Sequence, residues 1–107
     1  MKVAYISGAY RSYLPNGKVN PSGIYDNIQE ARKVAIKYWK LGYAVICPHT
    51  NTAMMDGACD DQIWIKGDIE LLRRSNIVVM LPNFEQSEGA RRELVEACLC
   101  DLEIIYE

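Results

Sequence analysis

Several signatures that would assign a chemistry on inspection are missing from these 107 residues. The cysteines, Cys47, Cys59, Cys98 and Cys100, contain no CxxC pair. Cys98 and Cys100 fall two positions apart on a predicted helix and so face different ways, and no ligand spacing fits zinc. Nor is there the cysteine density of a secreted scaffold, so free thiols in a reducing compartment are expected. The absence of GxGxxG and of a P-loop lysine motif leaves a dinucleotide or nucleoside-triphosphate cradle unsupported. No block of Lys and Arg occurs, and the formal net charge is −2, which argues against an electrostatic binder of polymeric nucleic acid. The longest apolar runs are strand-sized, far short of a membrane span. Met1-Lys2-Val3 leads directly into such a run, without a leader of the usual form. A cytoplasmic protein with neither metal nor cofactor is the expectation.

Half of the residues are apolar, enough for one core, and the length fits a single domain over 1–107. "KVAYIS" (Lys2 to Ser7) reads as a buried strand, followed by a loop rich in Gly, Pro, Asn and Ser. Ile28, Ala31, Ala35, Tyr38 and Leu41 recur at helical spacing within a helix predicted from Ile24, with Gly42 as its stop. "YAVICP" is a second strand and "HTNTAMMDGACD" a second irregular stretch. Asp60 or Asp61 caps a helix that runs to about Arg74. "NIVVMLP" is a third strand, apolar enough to be buried on both faces. After the short loop "NFEQ", Ser87 caps a third helix, and "LEIIYE" closes the chain as a fourth strand.

Strands alternating with helices predict an α/β fold: a single-domain, doubly wound parallel sheet, flavodoxin- or Rossmann-like, with helices on both faces. The expected strand order is 2-1-3-4. Ligands of such sheets bind beyond the carboxyl ends of the strands, at the switch point between strands 1 and 3. The segments Gly8 to Ser12, His49 to Asn51 and Pro82 to Gly89 meet there.

Two carboxylates break the apolar stripes of their helices. In "SEGARRELVEAC", Glu93 interrupts the stripe of Ala90, Leu94 and Ala97. In "IKGDIELL", Asp68 interrupts Ile65, Ile69 and Leu72. Inward carboxylates are costly unless hydrogen-bonded, paired or functional. A pair in divergent environments suits acid–base or nucleophilic work. The plain alternatives are a Glu93 that swings out to solvent and an Asp68 that pins a loop backbone. Ser87 leaves the next amides at the positive end of a helix dipole, an anion site, and Gly89 admits close approach to the backbone. Arg11 is a suitable phosphate or carboxylate partner, or else a solvated loop arginine. The single histidine, His49, follows "ICP" on the ligand edge.

The pieces "YISGAYR", "ICPHTN", "GDIELLRRSNIVVMLP" and "SEGARREL", in this order and on one sheet edge, resemble the nucleoside 2-deoxyribosyltransferase-like superfamily. Within it the chain is most similar to the 2'-deoxynucleoside 5'-monophosphate N-glycosidases and to small phage and bacterial domains of unknown function related to them. The resemblance spans essentially the whole chain. It implies Glu93 as the nucleophile on the anomeric carbon, Asp68 as the acid that helps the base leave, and Tyr5 as the tyrosine that positions nucleophile and sugar. It places Arg11, His49 and Ser87 around the sugar, base or phosphate, and Gly8 and Gly89, by their places at the strand end and the helix start, complete the expected substrate-binding set. Transferases of the superfamily usually carry an aspartate at the position of Ser87, where the monophosphate hydrolases carry a serine, so a nucleotide is the implied substrate. The hydrolases usually have a serine where this chain has Ala9. Longer relatives add a C-terminal segment beyond the position of Glu107 that reaches a neighbour's site. The partners implied are a small nucleotide or nucleoside and a second copy of the chain. A homodimer is expected as well from Tyr38, Trp39 and Trp64, taken as apolar surface on the helices.

Overall fold

The computed structural model describes residues 1–107. Strand β1 (Val3–Ser7) leads to helix α1 (Pro21–Lys40), strand β2 (Ala44–Ile46) and a one-turn helix α2 (Pro48–Asn51). Helix α3 (Asp61–Arg73), strand β3 (Ile77–Met80), a single 3-10 turn at Phe84–Gln86, helix α4 (Glu88–Leu99) and strand β4 (Glu103–Tyr106) complete the chain. The sheet is parallel throughout, in the order β2-β1-β3-β4. This is the expected doubly wound topology. No helix is long and apolar enough to cross a membrane.

The twofold periodicity of β1 and β3 divides the core. Ala4, Ile6, Ile77 and Val79 point to the side covered by Ala31, Ala35 and Tyr38 of α1. Tyr5, Val78 and Met80 point to the other, covered by Leu72 of α3 and by Ala90 and Ala97 of α4. Strand β3 is buried along its whole length, because helices lie on both of its faces. The small residues at the helix positions let α1 and α4 approach the sheet closely. Fully burying an Ile or Leu such as Ile6 or Leu72 contributes about 1.5–3 kcal/mol.

Three expectations need correction. Helix α1 begins at Pro21, earlier than Ile24, because Asn20 accepts a hydrogen bond from the Gly23 amide and Pro21 occupies the first turn. Proline lacks the amide that this position leaves unpaired, so "NPSG" is a helix start and not a loop. The second strand ends at Ile46, and Pro48 opens α2 where irregular chain was expected. Tyr38 is no surface residue: it is 5% exposed, with its ring in the core, whereas Trp39 is 55% exposed. The stop at Gly42 holds, with a left-handed φ of 98° that glycine adopts without strain. Asp60 caps α3 through the Gln62 amide, and Ser87 caps α4 through the Ala90 amide.

Candidate active site

At the carboxyl ends of β1 and β3, alternation along β1 puts Tyr5 and Ser7 on the same face, toward α4. Both are fully buried. The Tyr5 hydroxyl donates to Oε2 of Glu93, and Ser7 Oγ donates to Oε1 at 2.8 Å. Each oxygen of the carboxylate thus has its own hydroxyl donor. Glu93 turns inward, so its swing to solvent is set aside. Ala90 and Ala97 of the same stripe are buried beside it.

Asp68 projects from α3, which packs against α4 and is tied to it by Arg73 Nε to Glu96 Oε1 at 2.7 Å. Asp68 is half-buried, and burial alone raises its carboxyl to about 6. No group of the chain donates to it, so it pins no loop. Burial also raises Glu93, to about 7; the hydroxyls of Tyr5 and Ser7 pull it back down, and the nearby Asp68 charge pushes it up. Burial, then the Glu93 charge, then the Asp68 charge raise the Tyr5 phenol far above its ordinary value. Tyr5 therefore stays a proton donor at any ordinary pH. The result is two neighbouring carboxylates, one clamped by hydroxyls and one without a donor, with no cation bonded to either. Carboxyls raised in this way suit acid–base or nucleophilic chemistry near neutral pH.

The loop after β1 forms the adjacent wall. A Cβ at Gly8 would lie 2.6 Å from Leu81 Cδ1 and 2.9 Å from Asn83 Oδ1, so glycine is required there for packing. The Ala9 amide donates to Asn83 Oδ1 at 3.0 Å, and Asn27 Nδ2 donates to the Tyr10 carbonyl at 3.1 Å. His49 lies beneath this loop, 4% exposed, with Nε2 3.0 Å from the Ala9 carbonyl oxygen. A carbonyl only accepts, so Nε2 carries the proton. Burial lowers the His49 pKa, which keeps the ring neutral at pH 7. In this structure His49 braces the loop from inside α2 and does not stand open at the strand end.

Ser87 and Gly89 stand at the start of α4, and Glu93 follows one turn deeper along the helix. A Cβ on Gly89 would meet nothing nearer than Ser87 Oγ at 3.7 Å, so this helix end is open. Its first-turn amides have no intrahelical partner by geometry, apart from Ala90, which Ser87 satisfies. Arg11 is directed elsewhere: its Nη2 lies 3.3 Å from Asp61 Oδ2 at the start of α3. The structure therefore brings Tyr5, Asp68 and Glu93 together, keeps Gly8, Ser87 and Gly89 at the same sheet edge, buries His49 and engages Arg11 with α3. The sequence reading missed Ser7. A serine two positions from Tyr5 in an otherwise apolar strand is its signal, since the pair must share a face. Asn83, which braces the Ala9 amide, was also missed and has no comparable signal.

A surface cavity of about 410 Å³ lies away from these groups, between α1 and the edge strand β2, lined by Ile36, Trp39, Val45, Ile46 and Cys47 among others. It holds no pair of acids, unlike the Glu93 edge.

No curated protein matches the chain. Among solved structures, a 2-deoxyribosyltransferase from the psychrotolerant bacterium Bacillus psychrosaccharolyticus is similar, with a TM-score of 0.65 at 15% identity, over 97% of this chain and 70% of that one. At that identity the likeness is one of fold alone. A family model described as a domain of unknown function, DUF4406, matches residues 3–106, and the chain belongs to that family.

Proposed function

We propose that the chain is an N-glycosidase that hydrolyses a (deoxy)nucleoside 5'-monophosphate to free base and sugar 5-phosphate. The observation that carries this reading is the inward Glu93 carboxylate, held by Tyr5 and Ser7 beside Asp68 at the ligand edge of the sheet. Its likeness in fold to a 2-deoxyribosyltransferase supports it. Glu93 attacks C1' of the sugar while the C1'–N bond breaks. The bonding pair leaves with the base, which takes its proton from Asp68. The glycosyl ester on Glu93 is then opened by water at C1'; the ester C1'–O bond breaks, Glu93 recovers its charge, and the water proton passes to Asp68. One difficult cleavage is divided into two easier steps through oxocarbenium-like transition states.

In this proposal the 5'-phosphate lies at the start of α4, against the amides of Glu88 and Gly89 and near Ser87. Arg11 joins it by leaving Asp61. That surface pair has both side chains about half exposed or more, so breaking it costs little. Gly8 and His49 shape the wall of the site. A panel of nucleotides and nucleosides, with released base followed by chromatography, tests the reading. A monophosphate is expected to exceed its nucleoside roughly tenfold in kcat/KM, about one charge-assisted hydrogen bond's worth. Ser87→Ala is expected to erode that preference. Equal rates would overturn the phosphate assignment, and no released base from any compound would overturn the activity.

The second reading is a transferase, favoured by the activity named for the structure of similar fold. It differs only in what opens the ester. A second free base added to the reaction would then appear as a new nucleoside or nucleotide, whereas a hydrolase yields sugar phosphate regardless.

A further inference from the structure

We propose that Ser7 is a positioning residue for Glu93, acting with Tyr5 as a two-point clamp that aims the carboxylate at the sugar. This rests on the reading of Glu93 as the nucleophile. Ser7 is the last residue of β1, beside Met80 of β3, and is fully buried. A hydroxyl has no packing reason to replace an apolar group there, and burying one unbonded is costly. Its only hydrogen bond is the 2.8 Å donation to Glu93 Oε1.

The two donors have different consequences from one. A carboxylate held at a single oxygen still turns broadly about its terminal torsion. Tyr5 on Oε2 and Ser7 on Oε1 fix that torsion, because both hydroxyls come from one face of one strand. When the ester forms, one oxygen bonds C1' and gives up its charge while the other becomes the carbonyl oxygen. No proton moves at Glu93, and the hydroxyl on the carbonyl oxygen keeps its acceptor throughout. The clamp therefore survives the step and orients both the attack and the later release. It also favours the ionised carboxylate against the burial that opposes it. The titratable groups facing Glu93 are Tyr5 from β1 and Asp68 from α3, with Cys47 at the end of β2 close enough to act on Tyr5. None of them is cationic, so the hydroxyls alone hold the charge.

Two measurements on the full chain test this. The first titrates the Glu93 side-chain carboxyl by carbon-13 NMR without any substrate. Ser7→Ala is expected to move that titration upward by roughly one pH unit, the effect of losing one hydrogen bond to a charged group. Ser7→Cys, which keeps the volume but donates weakly, should move it the same way, and Ser7→Thr, which keeps the hydroxyl, should restore it. The second follows base release against pH. In Ser7→Ala the acidic limb should shift by the same amount, and kcat below the limb should fall about tenfold with KM little changed. A titration and a limb that both stay in place in Ser7→Ala and Ser7→Cys, with the fold intact by thermal melting, would overturn the clamp. A shifted titration in a protein that releases no base would support the clamp and overturn the nucleophile reading, so the two failures are distinguishable.

Discussion

The molecule contains two tyrosine–glutamate hydrogen bonds, one on each side of the sheet, and they have opposite electrostatics. On the α1 side, the Tyr38 hydroxyl donates to Glu107 Oε2 at 3.1 Å, and Lys37 Nζ lies 2.8 Å from Oε1. There the Lys37 hydrogen bond, reinforced by Tyr38, holds Glu107 below the ordinary carboxylate range. On the α4 side, Tyr5 and Ser7 donate to Glu93, yet burial wins and the carboxyl rises to about 7. Residue type and hydrogen bond are shared. The difference is a cation and solvent at Glu107, against a dry site and a second acid at Glu93. The first arrangement ties the chain end to a helix. The second holds a buried carboxylate in one orientation beside a second acid, an arrangement suited to nucleophilic attack at Glu93 with proton transfer at Asp68.

Breaking each pair in turn should separate the two roles most sharply. Glu93→Gln removes the anionic nucleophile and preserves volume and both hydroxyl contacts, since each hydroxyl can donate to or accept from an amide. Base release is expected to fall by roughly a thousandfold or more. Glu107→Gln should leave turnover within about twofold, because it is remote from the α4 edge. Comparable losses in the two variants would dissolve the contrast.

Asp68 is the next test, because Glu107 has no counterpart to it. With no donor of its own, Asp68 is raised by burial to about 6. As an acid it assists base departure, a contribution of roughly 10²–10⁴-fold in typical sites. Asp68→Asn is expected to slow release by about a hundredfold, most for bases that need protonation to leave. An unchanged rate across bases would remove its role. Wild-type activity against pH should be a narrow bell, because ionised Glu93, raised to about 7, and protonated Asp68, raised to about 6, coexist only in a minor fraction of molecules, and Asp68→Asn should abolish the alkaline limb.

The contrast was partly legible in the sequence. Periodicity exposed the sheet, its order and the inward Glu93 and Asp68, because apolar alternation and helical stripes are local patterns. Asn20 and Pro21 were legible too, but the cluster "NPSG" carries turn and helix-start chemistry at once, and only the Asn20 cap on the Gly23 amide decides for the helix. Arg11 with Asp61, and His49 beneath Ala9, depend on contacts between residues distant in the chain, which no periodicity encodes. Tyr38 fits its helical stripe and is buried, which removes it from the apolar surface counted toward a dimer. Its phenol reaches Glu107 only through the closeness of α1 to the end of β4, a tertiary fact.

The smallest effects are on stability, and they have opposite pH dependence. Glu93 has a folded pKa raised from 4.5 to about 7. Its favourable contribution is therefore complete below the unfolded value and is lost as pH rises through about 7. Glu93→Gln should be nearly neutral in stability at pH 4 and should stabilise the protein at pH 8, by on the order of 3 kcal/mol. Glu107 is the reverse case. Its folded pKa is lowered, so its contribution is present above the unfolded value and is lost as pH falls through the folded one. The Lys37 side chain is more than half exposed, so solvent screens the pair, and Glu107→Gln should cost only a few tenths of a kcal/mol at pH 7. That loss should shrink in 1 M salt, where screening reaches about 3 Å, and shrink as the solution is acidified. Chemical denaturation of both variants at pH 2, 4, 7 and 8 measures all of this. A Glu93→Gln protein that is less stable than wild type at pH 8 would show that the two hydroxyls outweigh burial, and that Glu93 resembles Glu107 after all.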